Sequence, residues 1–511
     1  MRPAFSRCST AVATVTAAVL LASCSAGASS STASGGGAGG SSSAQNQALS
    51  IGLVAEPASL DFTTTEGAAI PQALLDNVYE GLVKLDENGK IQPGLAKSWK
   101  ISADRKTYTF DLVDNAVFTN GAKFTADDAV FSIGRVKSWA ISIKAAMDVV
   151  QDAKALSPTQ LQVTLKRPSN DWLYRMTTRI GAMFSKTGVD KLATDPVGTG
   201  PFTFQKWNRG DSIVLARNDK YWGKKPFFST ITLKYFKDPT ALNNALLSGT
   251  INVVGTVQAP ESLKQFESNS KYQVIEGTTN GEVVLSFNNS KGPLTDKRVR
   301  QAVRYAIDHK ALLDTCWAGK GTLIGSMVPP TDPWYEDRTG DYPHDVAKAK
   351  SLLADAGKTG VALRLRVPNL PYATSCGQVV KSDLDQAGFK VTLDQLEFPA
   401  AWLKTVFTDA DYDMSIIAHV EPRDMPAVFG NPKYYTRYDN KQVQQLFARA
   451  DTGSEEEQVA DYKEAAKILS QDAAADWLFL IPNLMVADKN VTGLPKNSIS
   501  ESFDLSGLAR S

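Results

Sequence analysis

Histidine is scarce in this chain: His309, His344 and His419 are the only three among 511 residues. So few imidazoles argue against a multi-histidine metal centre. A charge excess is missing as well. Lysine and arginine number 55 against 54 aspartates and glutamates, a formal net charge of +1, whereas a dedicated nucleic-acid binder carries a basic surplus. Beyond the first thirty residues no apolar run reaches the ~18 residues a spanning helix needs, so the body is expected to be soluble. The spacings of common catalytic motifs are absent too: there is no His-Glu-x-x-His, no Gly-x-Ser-x-Gly and no Cys-x-x-Cys pair. Gly357-Lys358-Thr359 ends like a phosphate loop but has Leu352 where the first glycine belongs. Gly198-Thr199-Gly200 meets Thr203 where a third glycine would stand. A secreted α/β enzyme is the rival class, and no motif speaks for it.

What is present begins at the N-terminus. Arg2 and Arg7 precede the apolar run Ala11 to Leu21, which ends in Leu21-Ala22-Ser23-Cys24. The run is too short to span a membrane and has the basic start and small-residue end of a secretory signal. Leu-Ala-Ser-Cys resembles the bacterial lipobox, whose cysteine is diacylated and becomes the mature N-terminus. Residues 1–23 are therefore read as a lipoprotein signal and Cys24 as the lipidation site. Residues 24–48, almost all Ser, Gly and Ala, bury too little to offset their ordering entropy and read as a tether spanning roughly 25 Å. Cys8 leaves with the signal, so Cys316 and Cys376 remain in the body. Outside the cytoplasm they are either a disulfide or two free buried thiols, and spacing alone does not decide.

From Leu49 onward, strand-like and helix-like patterns interleave to the end, which predicts an α/β body of two or more domains. Tyr108, Phe110 and Leu112 share one face at period two after the turn at Ala103-Asp104-Arg105. A helix is predicted over 298–310 with Asp296 as N-cap, another from Asp345 to a stop at Gly357, and a third closing at Ala387-Gly388. Ser454 and Glu457 form a capping box ahead of the stripe Val459, Tyr462, Ala466 and Leu469.

Four segments, in order, carry a resemblance. The first is Pro93-Gly-Leu-Ala-Lys-Ser-Trp with Ala116-Val-Phe-Thr-Asn-Gly-Ala-Lys-Phe-Thr-Ala-Asp-Asp-Ala-Val. The second is Val197-Gly-Thr-Gly-Pro-Phe with Arg217-Asn-Asp-Lys-Tyr-Trp-Gly. The third is Leu285-Ser-Phe-Asn-Asn with Pro293-Leu-Thr-Asp-Lys-Arg-Val-Arg-Gln-Ala-Val. The fourth is Ala349-Lys-Ser-Leu-Leu-Ala-Asp-Ala-Gly. Together they resemble the bacterial family 5 extracellular solute-binding proteins, the peptide and nickel class that serves ATP-binding-cassette importers. The resemblance implies a two-lobed, hinge-closing periplasmic-binding-protein-like α/β fold of type II, with an extra inserted subdomain. Lobe I would comprise 49–75, 197–280 and 485–511, the inserted subdomain 76–196, and lobe II 281–484. It implies a monomer at the outer face of the cytoplasmic membrane, with no cofactor and no catalysis, delivering its ligand to permease subunits.

The same resemblance nominates ligand residues. Peptide binders of this family place an Asp for the ligand's ammonium in a Gly-Trp-x-x-Asp stretch. Here that stretch reads Ala418-His419-Val420-Glu421-Pro422-Arg423-Asp424, with Pro422 at the usual Asp. Glu421 or Asp424 would have to supply the charge. Leu370 stands before Pro371-Tyr372 where dipeptide binders carry a carboxylate-holding Arg. Trp139 and Arg179 resemble the aromatic and arginine with which metallophore binders grip a chelate, and His419 with Arg423 would complete that set. Tyr79, Tyr372, Tyr434 and Tyr435 are candidates for stacking or hydroxyl contacts. A peptide-like ligand is the main expectation, and a nickel or other metal chelate, with His419 reaching the metal, is the alternative. An opine or sugar is a further one.

Overall fold

The computed structural model describes residues 47–511. The predicted signal, Cys24 and all but the last two residues of the tether lie outside the described residues.

Three larger sheets organise the described chain. The first has seven strands, in the order Tyr272–Gly277, Asn483–Asp488, Val253–Val254, Ala48–Leu53, Thr230–Tyr235, Ser212–Arg217 and Phe202–Asn208. Ala48–Leu53 runs parallel to both of its neighbours, and the remaining pairings are antiparallel. Its Leu49, Ile51 and Leu53 share a core with Ile231 and Leu233, the period-two burial that a sheet face imposes.

The second sheet has five strands, in the order Lys390–Leu396, Ala362–Pro368, Met414–His419, Glu282–Phe287 and Ala475–Leu480. Every residue of Glu282–Phe287 and of Ala475–Leu480 is buried. Near-continuous apolar strands of this kind belong to sheets covered on both faces. Helices Lys297–Ala306 and Pro371–Gln386 pack on this sheet. Asp296 caps the first, accepting from Arg298 N–H, but that helix does not continue to 310 as predicted. Ile307 is extended, and Asp308 caps a new helix, His309–Cys316, by accepting from Ala311 N–H. The predicted caps at Asp345 and at Ser454 with Glu457 are present. Cys316 and Cys376 form a disulfide that ties helix His309–Cys316 to helix Pro371–Gln386.

The chain passes between these two sheets twice, from Gly277 to Glu282 and from Leu480 to Asn483. The crossings pair with each other: Ile481 N–H donates to Gly281 O at 2.8 Å, and Thr279 Oγ1 donates to Ile481 O at 2.6 Å. Two short adjacent connections between rigid sheets have the form of a hinge.

The third sheet is a four-stranded antiparallel unit, Ala96–Ile101, Thr107–Leu112, Gln160–Leu165 and Val150–Ser157 in spatial order. Tyr108, Phe110 and Leu112 are buried in it as predicted. This unit reaches across to the end of helix Lys441–Thr452. Asn170 Nδ2 donates to Ala450 O at 2.8 Å and Gly453 O at 2.9 Å, and Ser169 Oγ donates to Asp451 at 2.7 Å. Arg105, at the hairpin turn with φ +55°, donates to the Thr452 and Gly453 carbonyls. These donors satisfy helix-end carbonyls that would otherwise lack partners.

Candidate ligand-binding cleft

Strand Met414–His419 leaves the five-stranded sheet at its hinge end and runs into the loop 420–424. His419 is buried between two partners. Its Nε2 lies 2.8 Å from the Tyr435 hydroxyl and its Nδ1 3.3 Å from an Asp424 carboxylate oxygen. Tyr435 meets Ser286 Oγ at 2.7 Å in turn, so both ring nitrogens are engaged within the lobe.

Acidic groups collect around this loop. Glu282 sits beside His419 in the sheet register, is 2% exposed, and its Oε2 has no hydrogen-bond partner. Burial, then the Asp424 carboxylate, pushes the Glu282 carboxyl well above the usual range, with Asp332 and Glu421 adding to the effect. Burial also pushes Asp332 up to about 6. Glu421 keeps an exposed surface although protein surrounds it on most sides, the position of a group facing a cleft. Desolvation and then Asp424 raise its carboxyl, against the opposing pull of His419 and Arg179. Buried carboxylates in excess of their cations are expensive unless something positive joins them.

Two guanidinium groups meet at this loop. Arg423, in the left-handed region at φ +54°, places its guanidinium 3.7 Å from the Tyr174 ring centroid, 4.9 Å from that of Trp334 and 3.7 Å from Asp332. Arg175 reaches over from the four-stranded unit's side and donates to the Pro422 and Arg423 carbonyls, each at 3.2 Å. The loop that carries Glu421 and Asp424 is thereby gripped from both sides. A non-glycine residue held at positive φ is the kind of strain that clusters at clamps.

Arg179 stands on the other wall, within electrostatic reach of Glu421 and Glu66. Its Nη2 donates to Glu501 Oε1 at 2.8 Å, its Nε lies 3.1 Å from both Glu501 oxygens, and its backbone N–H donates to Oε2 at 2.8 Å. Nη1 is 3.5 Å from Gly67 O. Trp139 is buried in an aromatic group with Phe62 and Phe184, and its indole nitrogen has no partner. Tyr79 belongs to the same group. The Tyr372 hydroxyl accepts from Ala418 N–H at 3.0 Å, and burial pushes its phenol up to about 12. Tyr434 is half-buried against Phe407, with ring centroids 5.2 Å apart, and feels the charges of Asp424 and Glu421.

The structure thus brings Glu421, Arg423, Asp424 and His419 together, with Arg179 opposite, and keeps Trp139, Tyr79 and Tyr372 in packed surroundings. Glu282, Asp332, Trp334, Tyr174, Arg175 and Glu501 were not among the sequence candidates. Glu282 had a visible signal, an acid opening the apolar run Val283 to Leu285. Glu501 had none. Among the described residues, no group of three or more His, Cys, Asp or Glu side chains is arranged to hold a metal ion.

Residues 90–460 match the family model for bacterial extracellular solute-binding proteins, family 5 (middle), and the chain belongs to this family. It is a solute-binding component of an ATP-binding-cassette importer. The nickel-binding periplasmic protein of Escherichia coli (strain K12) is 30% identical over 346 residues, which cover 62% of this chain and 65% of that protein. The dipeptide-binding protein of the same organism is 27% identical over 371 residues, covering 66% of this chain and 68% of the relative. Among solved structures, the periplasmic binding protein DppA of Helicobacter pylori, in complex with the peptide STSA, superposes with a TM-score of 0.79 at 22% identity. That match covers 92% of this chain and all of the other. This likeness places the two lobes and hinge in the type II periplasmic-binding-protein fold.

Proposed function

We propose that the cleft captures a peptide-like ligand by its ammonium group, received by Glu421 and Asp424 with Glu282 behind them. The observation that carries this reading is the unpartnered Glu282 Oε2 beside Asp332, Glu421 and Asp424, acids whose nearby cations, Arg423 and Arg179, already face Asp332 and Glu501. An arriving ammonium supplies the missing positive charge and hydrogen-bond donors together. The engagement of both His419 nitrogens favours a peptide over a metal chelate, since a metal would have to displace Tyr435 or Asp424. The dipeptide-binding relative and the peptide complex of the fold neighbour support the same ligand class.

In this reading the protein is a monomer that performs no catalysis. Diacylated Cys24 holds it at the outer face of the cytoplasmic membrane, and closure presents the loaded cleft to the permease. Two acyl chains give the stable anchoring that one does not, so Cys24→Ala should move the protein out of the membrane fraction.

The ligand reading is tested by calorimetry on a panel of short peptides and their N-acetylated forms. Acetylation, Glu421→Gln or Asp424→Asn should each weaken binding by roughly 30-fold to several thousand-fold, the usual effect of losing a desolvated charge partner. Equal binding of free and acetylated peptides would end the ammonium reading.

A further inference from the structure

Arg179 has the reach and charge to hold a ligand carboxylate, but a carboxylate from its own chain is already there. Glu501 meets the guanidinium side-on through Nε and Nη2 and also accepts from the Arg179 backbone N–H. Both side chains are nearly closed off, at 5% and 6% exposure. The segment that bears Glu501 is fixed on either side of it. Asn280, in the hinge crossing, donates to Ile499 O at 2.7 Å, and Ser502 Oγ donates to Asp76 at 2.7 Å. Asn77 Nδ2 donates to Phe503 O at 2.8 Å, while its Oδ1 accepts from Leu505 N–H at 3.0 Å. Glu501 is thus delivered to Arg179 by a preorganised tail.

We propose that Glu501 is a resident carboxylate that determines specificity: it fills the anion site of Arg179 and steers the cleft toward ligands with no free carboxylate at that position. A ligand carboxylate could gain Arg179 only by separating Glu501 from the guanidinium it meets in a nearly closed place. An uncompensated buried charge is strongly unfavourable. Beyond that pair, the Glu421 carboxyl lies within electrostatic reach of Arg179, and its negative charge repels a second anion and suits an amide, an ester or an interior peptide bond.

The inference rests on the peptide reading, and its test separates the two. L-Leucyl-L-leucine and its C-terminal amide would be titrated into wild type, Glu501→Gln and Glu501→Ala. Wild type should bind the amide at least as tightly as the acid. Glu501→Ala, which frees Arg179, should reverse the order and favour the acid by about tenfold or more. Glu501→Gln keeps the shape of the pair without its charge and should fall between. A wild-type preference for the acid that disappears in Arg179→Ala would overturn the proposal, and so would an unchanged order in both Glu501 variants. If neither compound binds wild type, the peptide reading fails for this pair. Crystals of Glu501→Ala grown with acetate then decide the inference by themselves. Acetate seated on Arg179, and absent there in wild type, sustains it, and an Arg179 without acetate refutes it.

Discussion

Two buried groups of acids lie within this molecule, and they are built in opposite ways. At the junction of the seven-stranded sheet with the chain entering the four-stranded unit, Glu80 accepts from Thr199 Oγ1 at 2.7 Å, Tyr221 OH at 2.8 Å and Trp222 Nε1 at 2.8 Å. Asp76, four residues before it in sequence, accepts from Ser502. Between the lobes, Glu282 has an oxygen with no partner, and Asp424 and Glu421 share their surroundings with other acids. The first group is satisfied by neutral donors and ties segments of the chain together. In the second, Glu282 keeps an unpartnered oxygen while Asp424 faces His419, and in the proposed reading a ligand donor completes the group. Burial of an acid by itself therefore does not mark a site here, and what separates the two groups is whether donors are present.

The sharpest way to break this contrast is Glu80→Ala. It would orphan three donors, the buried Thr199 and the half-buried Tyr221 and Trp222, at ~1–3 kcal/mol each, and should lower unfolding free energy by about 3–5 kcal/mol in urea titrations. Ligand affinity of the molecules that remain folded should be unchanged.

A pH series probes the same group. Burial raises Asp76 to about 6 and Glu80 to about 7. The folded state keeps protons that the unfolded chain releases, so stability present near pH 4 should be lost as pH rises to 7. The loss should be roughly 2–3 kcal/mol per group before coupling is considered. Melting temperatures of the ligand-free protein should fall over that interval, and less steeply in Asp76→Asn.

Glu282→Gln addresses the second group. Burial and then Asp424 hold the Glu282 carboxyl well above its usual range, so a neutral amide in its place should leave ligand-free stability within about 1 kcal/mol of wild type. Ammonium-ligand affinity should nonetheless drop by about 10- to 100-fold, because the amide cannot ionise to meet the charge. A large stability loss with unaltered affinity would place Glu282 with the structural acids instead.

The smallest effect is proton release. If an ammonium draws Glu282 into its ionised form, binding should release up to about one proton and tighten with rising pH below that raised pKa. Calorimetry in buffers of different ionisation heat reads this directly.

Much of the framework is legible in the sequence alone. Alternation exposed the buried face at Tyr108, Phe110 and Leu112, and the caps at Asp345 and Ser454 marked helix starts, because these signals act within a few residues. The continuous helix over 298–310 failed for an equally local reason, since Asp308 offers a second cap that the apolar stripe does not reveal. The loop 419–424 was found through its resemblance to relatives. What was not legible is the company these side chains keep. Whether Cys316 meets Cys376, whether Arg179 is free, and whether His419 has an open nitrogen all depend on distant partners that no spacing rule connects.

The Arg179–Glu501 pair joins residues 322 positions apart in the chain. During synthesis, Arg179 is made long before its partner, and the wall of the cleft is finished only when the tail has been threaded back across the hinge. A chain still being made or exported therefore has the loop with Glu421 and Asp424 before it has a neutralised Arg179. Until the segment with Glu501 docks, the guanidinium lacks the carboxylate that it meets in the folded protein. Order of emergence thus becomes a constraint on selectivity: the residue that neutralises Arg179 emerges well after the loop with Glu421 and Asp424.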